Sequence, residues 1–322
     1  MPRGRLGRAV RALIWLLIAL AIACGTAGIV TGAALPPGDA TRPELTVRAD
    51  ERLEPGLGAI EEGMRQLAGD LDQLVAAGKT VLTDLTAQTS DRSTSADVAA
   101  QLDAGDALVL SITQRSQALQ AAYAQLPYDA SSDGIGGRSR GRLLAVRAAL
   151  GGLGPVAEDW RVASARATVT ARLVELLREH DQVAFEAYLL ASAEDLSHKP
   201  KTPDFASATA SIKEALALLA QASAIRDQLR QTLDVSTVSD WLDRNGTWDR
   251  AFQTYVHLAQ TSRDQRVLDA AYQVEEKAKG ALPKTTAQLE IVVGELVDSG
   301  LAAALTDLRQ IRASLSVVAR VD

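Results

Sequence analysis

The chain has 322 residues, of which 47% are hydrophobic but only 4% aromatic, and its 40 acidic against 34 basic residues give a formal net charge of −6. The apolar material is therefore mostly Ala, Leu and Val, which suits long packed helices more than sheets. The charge beyond residue 48 is spread evenly with no basic face, which argues against a nucleic-acid partner, and the lone cysteine, Cys24, excludes an intrachain disulfide.

The first pattern in chain order is an uncharged run, Ala12–Leu35, preceded by Arg3, Arg5, Arg8 and Arg11 and closed by Pro36-Pro37-Gly38. A bilayer core about 30 Å thick is crossed by about 20 helical residues, and this run has that length. Its leucines, isoleucines and valine each favour insertion by roughly 0.3–0.6 kcal/mol. The arginines hold a tail, 1–11, in the cytoplasm, which sends the remainder across the membrane. The expectation is a single-pass protein of the cell membrane, with 12–35 as a transmembrane helix or signal anchor. Two other fates stay open. Gly32-Ala33-Ala34 has the small residues of a signal-peptide cleavage site, and Ala21-Ile22-Ala23-Cys24 resembles a lipobox with Cys24 as the lipidated residue. Gly28 and Gly32 form a GxxxG pair, a candidate contact between two membrane helices.

Residues 36–48 carry three prolines and a glycine and read as a tether. From residue 49 to 126 the pattern is a helical hairpin resembling a coiled coil. Leu53, Leu57, Ile60, Met64, Leu67, Leu71, Leu74, Gly78, Val81 and Leu85 follow an unbroken alternation of four and three. After a polar turn with a capping box at Thr94–Asp97, a second seam runs from Val98 to Leu126 with the same spacing. A short connection predicts antiparallel helices, with Gly78 and Gly105 letting the two backbones approach. Residues 127–141 are rich in Gly and Ser and read as a loop. The remainder, 142–322, predicts a helical bundle with helices near 142–150, 156–196, 204–233, 247–279 and 285–319. Asn245-Gly246 reads as a turn and Thr247 as a cap.

The patterns that carry chemistry give little. His180, His198 and His257 lack the Glu-x-x-His or His-x-x-x-His spacing of metal sites, and a hydrogen-bonded or solvated helix position explains His180 and His257. Gly78-Lys79-Thr80 lacks the upstream glycine of a phosphate loop, since that position is Gln73, and it sits inside the heptad seam. Gly134-x-Gly136-Gly137 has no strand before it and reads as a loop. Glu175, Glu179, Asp181 and Glu186 read as a solvated face, and no pair of carboxylates stands out as isolated in apolar surroundings. Trp241, Trp248, Tyr255 and Tyr272 cluster in a chain poor in aromatics. They fill wide core layers or line a groove between helices.

Together these readings predict an all-α protein: one N-terminal membrane helix, then an extracytoplasmic bundle that contains the heptad hairpin. The expected role is a non-enzymatic interaction or scaffold module of the bacterial cell envelope, without a cofactor. Its partners would be the bilayer and either another protein or further copies of itself, through helical faces. The alternative is a ligand-sensing bundle. It would act through a partner membrane protein, because no second span or output domain follows before Asp322.

Overall fold

The computed structural model describes residues 43–90, 92–194, 196, 198–282 and 287–318. The expected membrane helix, with Cys24, Gly28 and Gly32, lies outside the described residues, as does the tether up to residue 42. The protein is all-α. Its helices are α1 (Pro43–Ala87), α2 (Ser95–Ala124), α3 (Gly137–Gly151), α4 (Val156–Ala191), α5 (Phe205–Leu229), α6 (Ser236–Thr261), α7 (Gln265–Lys279) and α8 (Ala287–Val318), with a short 3-10 turn at Gln88–Ser90. Among the described residues, no helix is long and apolar enough to cross a membrane.

The chain divides into two compact units. Of the described residues, one holds 43–66, 116–152 and 314–318, and the other holds 67–115 and 153–313. The heptad seam of α1 is the apolar spine within each. Leu53, Leu57, Ile60 and Met64 in the first unit, and Leu67, Leu71, Leu74, Val81 and Leu85 in the second, are all buried. A 3.5-residue repeat keeps one face of a helix turned to its neighbours, which is why every leucine of the seam points inward.

In the first unit, α1 and α2 run antiparallel: Leu126 packs over Gly56 and Leu119 over Gly63. The α3 helix is held to α1 by charge. Arg142, almost fully buried, forms a two-pronged pair with Glu61 (Nε–Oε1 2.8 Å, Nη2–Oε2 2.6 Å) and a third bond to Glu54 (2.6 Å). The hydrogen bonds that Arg142 donates to Glu61 and then to Glu54 raise the guanidinium pKa above its ordinary range. The backbone N–H of Gly136 donates to Asp50 Oδ1 at 3.0 Å, so a carboxylate from α1 sits at the N-terminus of α3, where the helix dipole favours it.

In the second unit, Asp70 of α1 faces Arg115 of α2 at 3.6 Å, so the antiparallel pairing holds there too. The capping box forms as read: Thr94 Oγ1 accepts from the Asp97 N–H at 3.2 Å, and Asp97 Oδ2 accepts from the Thr94 N–H at 2.8 Å. Two apolar clusters follow. One joins Leu173, Leu176 and Leu177 of α4 with residues of α5, with Trp241 and Leu242 of α6, and with Val292 and Leu296 of α8. The other joins Ala184 and Ala187 of α4 with Ile212 and Ala215 of α5 and with Trp248 and Phe252 of α6.

Several expectations are corrected. Helix α1 starts at Pro43, inside the stretch read as tether, because proline is tolerated in the first turn, where its missing N–H is not needed. The loop expected at 127–141 ends at Gly136, the cap of α3, which begins at Gly137. Asn245-Gly246 is not a turn. Helix α6 runs through it, both residues are buried, and Asn245 Nδ2 donates to the Trp241 carbonyl one turn back at 2.9 Å. Burial of a continuous apolar face outweighs the local turn preference there. Conversely, the single helix expected over 247–279 breaks at 262–264. Ser262 Oγ accepts from the Asp264 N–H at 3.1 Å and Asp264 Oδ1 from the Arg266 N–H at 2.9 Å, so short polar side chains replace the helical bonds. Asp204, expected in the first turn of its helix, is itself the cap of α5, accepting from the Ser207 N–H at 3.0 Å.

The glycines of the seams also serve different partners from those expected. Gly78 receives Leu305 of α8, and Gly105 receives the indole of Trp160 from α4, so neither brings α1 and α2 together. A Cβ at Gly105 would overlap the ring, whose Nε1 is held by Asp106 Oδ1 at 2.7 Å. Overpacking of this kind costs about 1–3 kcal/mol. Gly105→Val is therefore expected to lower the melting temperature. Gly69→Ala, where nothing lies within 4 Å, should raise stability by about 0.5–1 kcal/mol. Thermal unfolding followed by circular dichroism measures both, and equal effects would contradict the packing described.

Candidate functional site

The interior of the second unit carries a polar layer. His180 of α4 occurs between Leu177 and Ala184, and Asp249 of α6 between Leu242 and Phe252, so each interrupts an apolar face. The two side chains meet, His180 Nε2 to Asp249 Oδ2, at 2.9 Å, and they are 1% and 0% exposed. His180 Nδ1 lies 3.3 Å from Asp181 Oδ1 on the same helix, and the Trp241 ring packs edge-on to the imidazole at 5.5 Å. Burial pushes the imidazole pKa down. The hydrogen bonds and charges of Asp181 and Asp249 push it up further, to about 9, so the imidazole is a cation at neutral pH. Asp249 Oδ1 is buried without a hydrogen-bond partner among the described residues. The pair is sealed from solvent, so its chemistry is structural: a directional bond between α4 and α6.

The second cluster joins α4, α6 and α7. Trp248 stacks on Phe252 (5.3 Å between centroids, 14° between planes), and its Nε1 donates to Glu275 Oε1 at 2.7 Å. Glu275 is buried, and that burial pushes its carboxyl pKa up against the opposing hydrogen bond from Trp248. Lys279 Nζ donates to the Tyr188 hydroxyl at 3.0 Å. Burial lowers the pKa of this amine, but the bonds to Tyr188 and Glu276 outweigh that and raise it. Glu275 and Asp249 are thus two separate buried carboxylates, each bonded to a ring N–H or imidazole of the core.

The four aromatics singled out from the sequence divide between these places. Trp241 belongs to the cluster with Leu173 and Leu177, and Trp248 to the one with Ile212 and Phe252. Tyr255 and Tyr272 form a tilted pair, 5.8 Å between centroids, across the seam of α6 and α7, with Tyr272 43% exposed. The two indoles are core groups, and only the tyrosines reach the surface.

Beside the tyrosine pair lies an open groove of about 480 Å³ between the same two helices, lined by Ala251 and Leu258 of α6 and by Val267, Ala270, Ala271 and Val274 of α7. Val267 and Val274 are 41% and 61% exposed. With Ala270 and Ala271 they form a stripe, spaced three, one and three, on one face of α7. It faces solvent, which marks an interaction site more often than chance exposure does.

His257, on α6, is exposed, and so is His198, whose backbone φ of 57° lies in the left-handed region. Among the described residues, no group of three or more His, Cys, Asp or Glu side chains could hold a metal ion. Comparison with protein-family models, with curated proteins and with solved structures finds no match.

The polar layer was missed from sequence, although it left a signal. His180, Asn245 and Asp249 occupy apolar-spaced positions of α4 and α6, where a polar residue implies a buried partner. Removing one member of a buried pair strands the other and costs about 3–5 kcal/mol, whereas replacing both with apolar groups is often neutral or stabilising. His180→Leu is therefore expected to destabilise strongly, and His180→Leu with Asp249→Leu to recover most of the loss in urea unfolding. The pH dependence follows from the same pair. The folded imidazole pKa, about 9, exceeds the ordinary 6.5. Its contribution is thus complete below pH 6.5 and is lost as pH rises towards 9, a loss on the order of a few kcal/mol. His180→Gln should abolish that decline. If the variant unfolds with the same pH profile as the native chain, the charged pair is not its source.

Proposed function

We propose that this protein is an interaction module held at the bacterial cell envelope by an N-terminal membrane anchor, with its helical bundle on the extracytoplasmic side. The observation that carries the interaction reading is the solvent-facing apolar stripe of α7 beside Tyr255 and Tyr272. An amphipathic helix whose apolar face lies open is suited to receive another helix. The support for anchoring is the uncharged 12–35 run behind its four arginines. The His180–Asp249 pair is closed to solvent, which supports a structural role for it.

A second reading, a ligand sensor working through a partner membrane protein, draws on a polar cleft of about 650 Å³ at the junction of α5 and α6. Arg226, Arg230, Ser236 and Ser239 line it together with Asp234 and Asp240.

A reporter that is active only outside the cytoplasm, fused after Asp322, tests the placement and is expected to be active. Activity of a cytosol-dependent reporter at the same position would overturn it. A small polar ligand that raises the melting temperature, an effect lost in Arg230→Ala, would favour the sensor reading over the interaction module.

A further inference from the structure

The α7 stripe is symmetric about its own midpoint. Counting outwards from the peptide between Ala270 and Ala271, Val267 mirrors Val274 and Asp264 mirrors Lys277. Two such helices laid antiparallel about a two-fold axis at that midpoint would meet alanine to alanine at the centre and valine to valine one turn out. Each Asp264 would stand opposite the other copy's Lys277. Asp264 and Lys277 are complementary only in this direction. A parallel pairing would set Asp264 against Asp264 and Lys277 against Lys277, and like charges repel. The small central residues permit close approach of the backbones, while the exposed valines supply the apolar surface.

We infer that this face binds a second copy of the same chain through an antiparallel α7–α7 contact. The inference rests on the interaction reading and names its partner. A closed two-fold contact uses one self-complementary patch on both copies, which is what the mirrored stripe provides. The contact is weak and exchangeable. A 15-residue helix is about 22 Å long, and one such pair with the flanking Ala251 and Leu258 covers less than the ~1,600 Å² of a standard stable interface.

Disulfide trapping in the full chain, with Cys24→Ser as the background, tests the register. Residues that mirror one another meet across the axis, but a residue and its own copy at 267 or at 274 are separated by about 10 Å along the helices, beyond the reach of a disulfide. A mixture of Val267→Cys chains and Val274→Cys chains is therefore expected to form a mixed dimer under mild oxidation, while neither variant alone does. The exposed Asp103→Cys on α2 should not crosslink. Adding Asp264→Asn, which keeps a capping side chain, or Lys277→Gln should reduce the mixed yield about threefold. Crosslinking of Val267→Cys or Val274→Cys alone would overturn the antiparallel pairing. If no mixture crosslinks while another protein is trapped on these cysteines, self-pairing is overturned and the interaction reading survives. If neither occurs, both fall.

Discussion

The second unit depends on a constraint that leucine seams cannot supply. A seam repeating every three and four residues fits its neighbour about equally well after a slip of one heptad, because one leucine replaces another. Shape and direction must come from exceptions to the repeat. In this chain they are Gly105, which admits the Trp160 indole, Gly78, which admits Leu305, and the buried bond from His180 to Asp249. Each exists in one register only. The indole is further fixed by Asp106, so its ring cannot turn to accommodate a shifted neighbour.

The same logic explains why a chain with so few aromatics places them where it does. Trp160 fills a notch, Trp241 lies against the imidazole, and Trp248 stacks on Phe252 while its N–H reaches a buried carboxylate. An indole buries a large area yet brings one polar atom that needs a partner. Acidic groups supply it to Trp160 and Trp248. Glu275 is consequently carried into the interior by α7, and α7 is oriented with that edge inward. Its valine stripe is left outward as a result. The exposed groove and the buried carboxylate are two sides of one helix orientation.

Much of this was legible in the residues. The all-helical class follows from the scarcity of aromatics and the unbroken spacing of Leu53 to Leu85, and the capping box at Thr94 and Asp97 located the start of α2. What was not legible depended on tertiary partners. Nothing local distinguishes a glycine that receives a tryptophan from one that receives a leucine, and Gly78 and Gly105 both simply stand on a seam. Asn245-Gly246 has strong turn preference, and only burial of both residues between neighbouring apolar turns forces it helical. The break at Ser262–Asp264 went the other way, because two short polar side chains offered the backbone alternatives that periodicity does not record. His180 and Asp249 were readable in principle, each standing at an apolar position, but pairing them required knowing that α4 and α6 are neighbours.

The α7 face also bears on why an anchor and a weak contact would belong together. Holding two modules on one surface turns an encounter in three dimensions into one at a raised effective concentration, so a contact too small to persist between free molecules becomes populated without any added interface. A strongly apolar, extensive face would pair irreversibly and would invite non-specific association. The α7 stripe avoids this by its composition: alanines at its centre, one valine on either side, and a charge at each end. That arrangement limits the attraction while preserving its direction. On the proposed reading, a module held in this way would respond to its own surface density, and the mirrored charges would set which way round two copies meet.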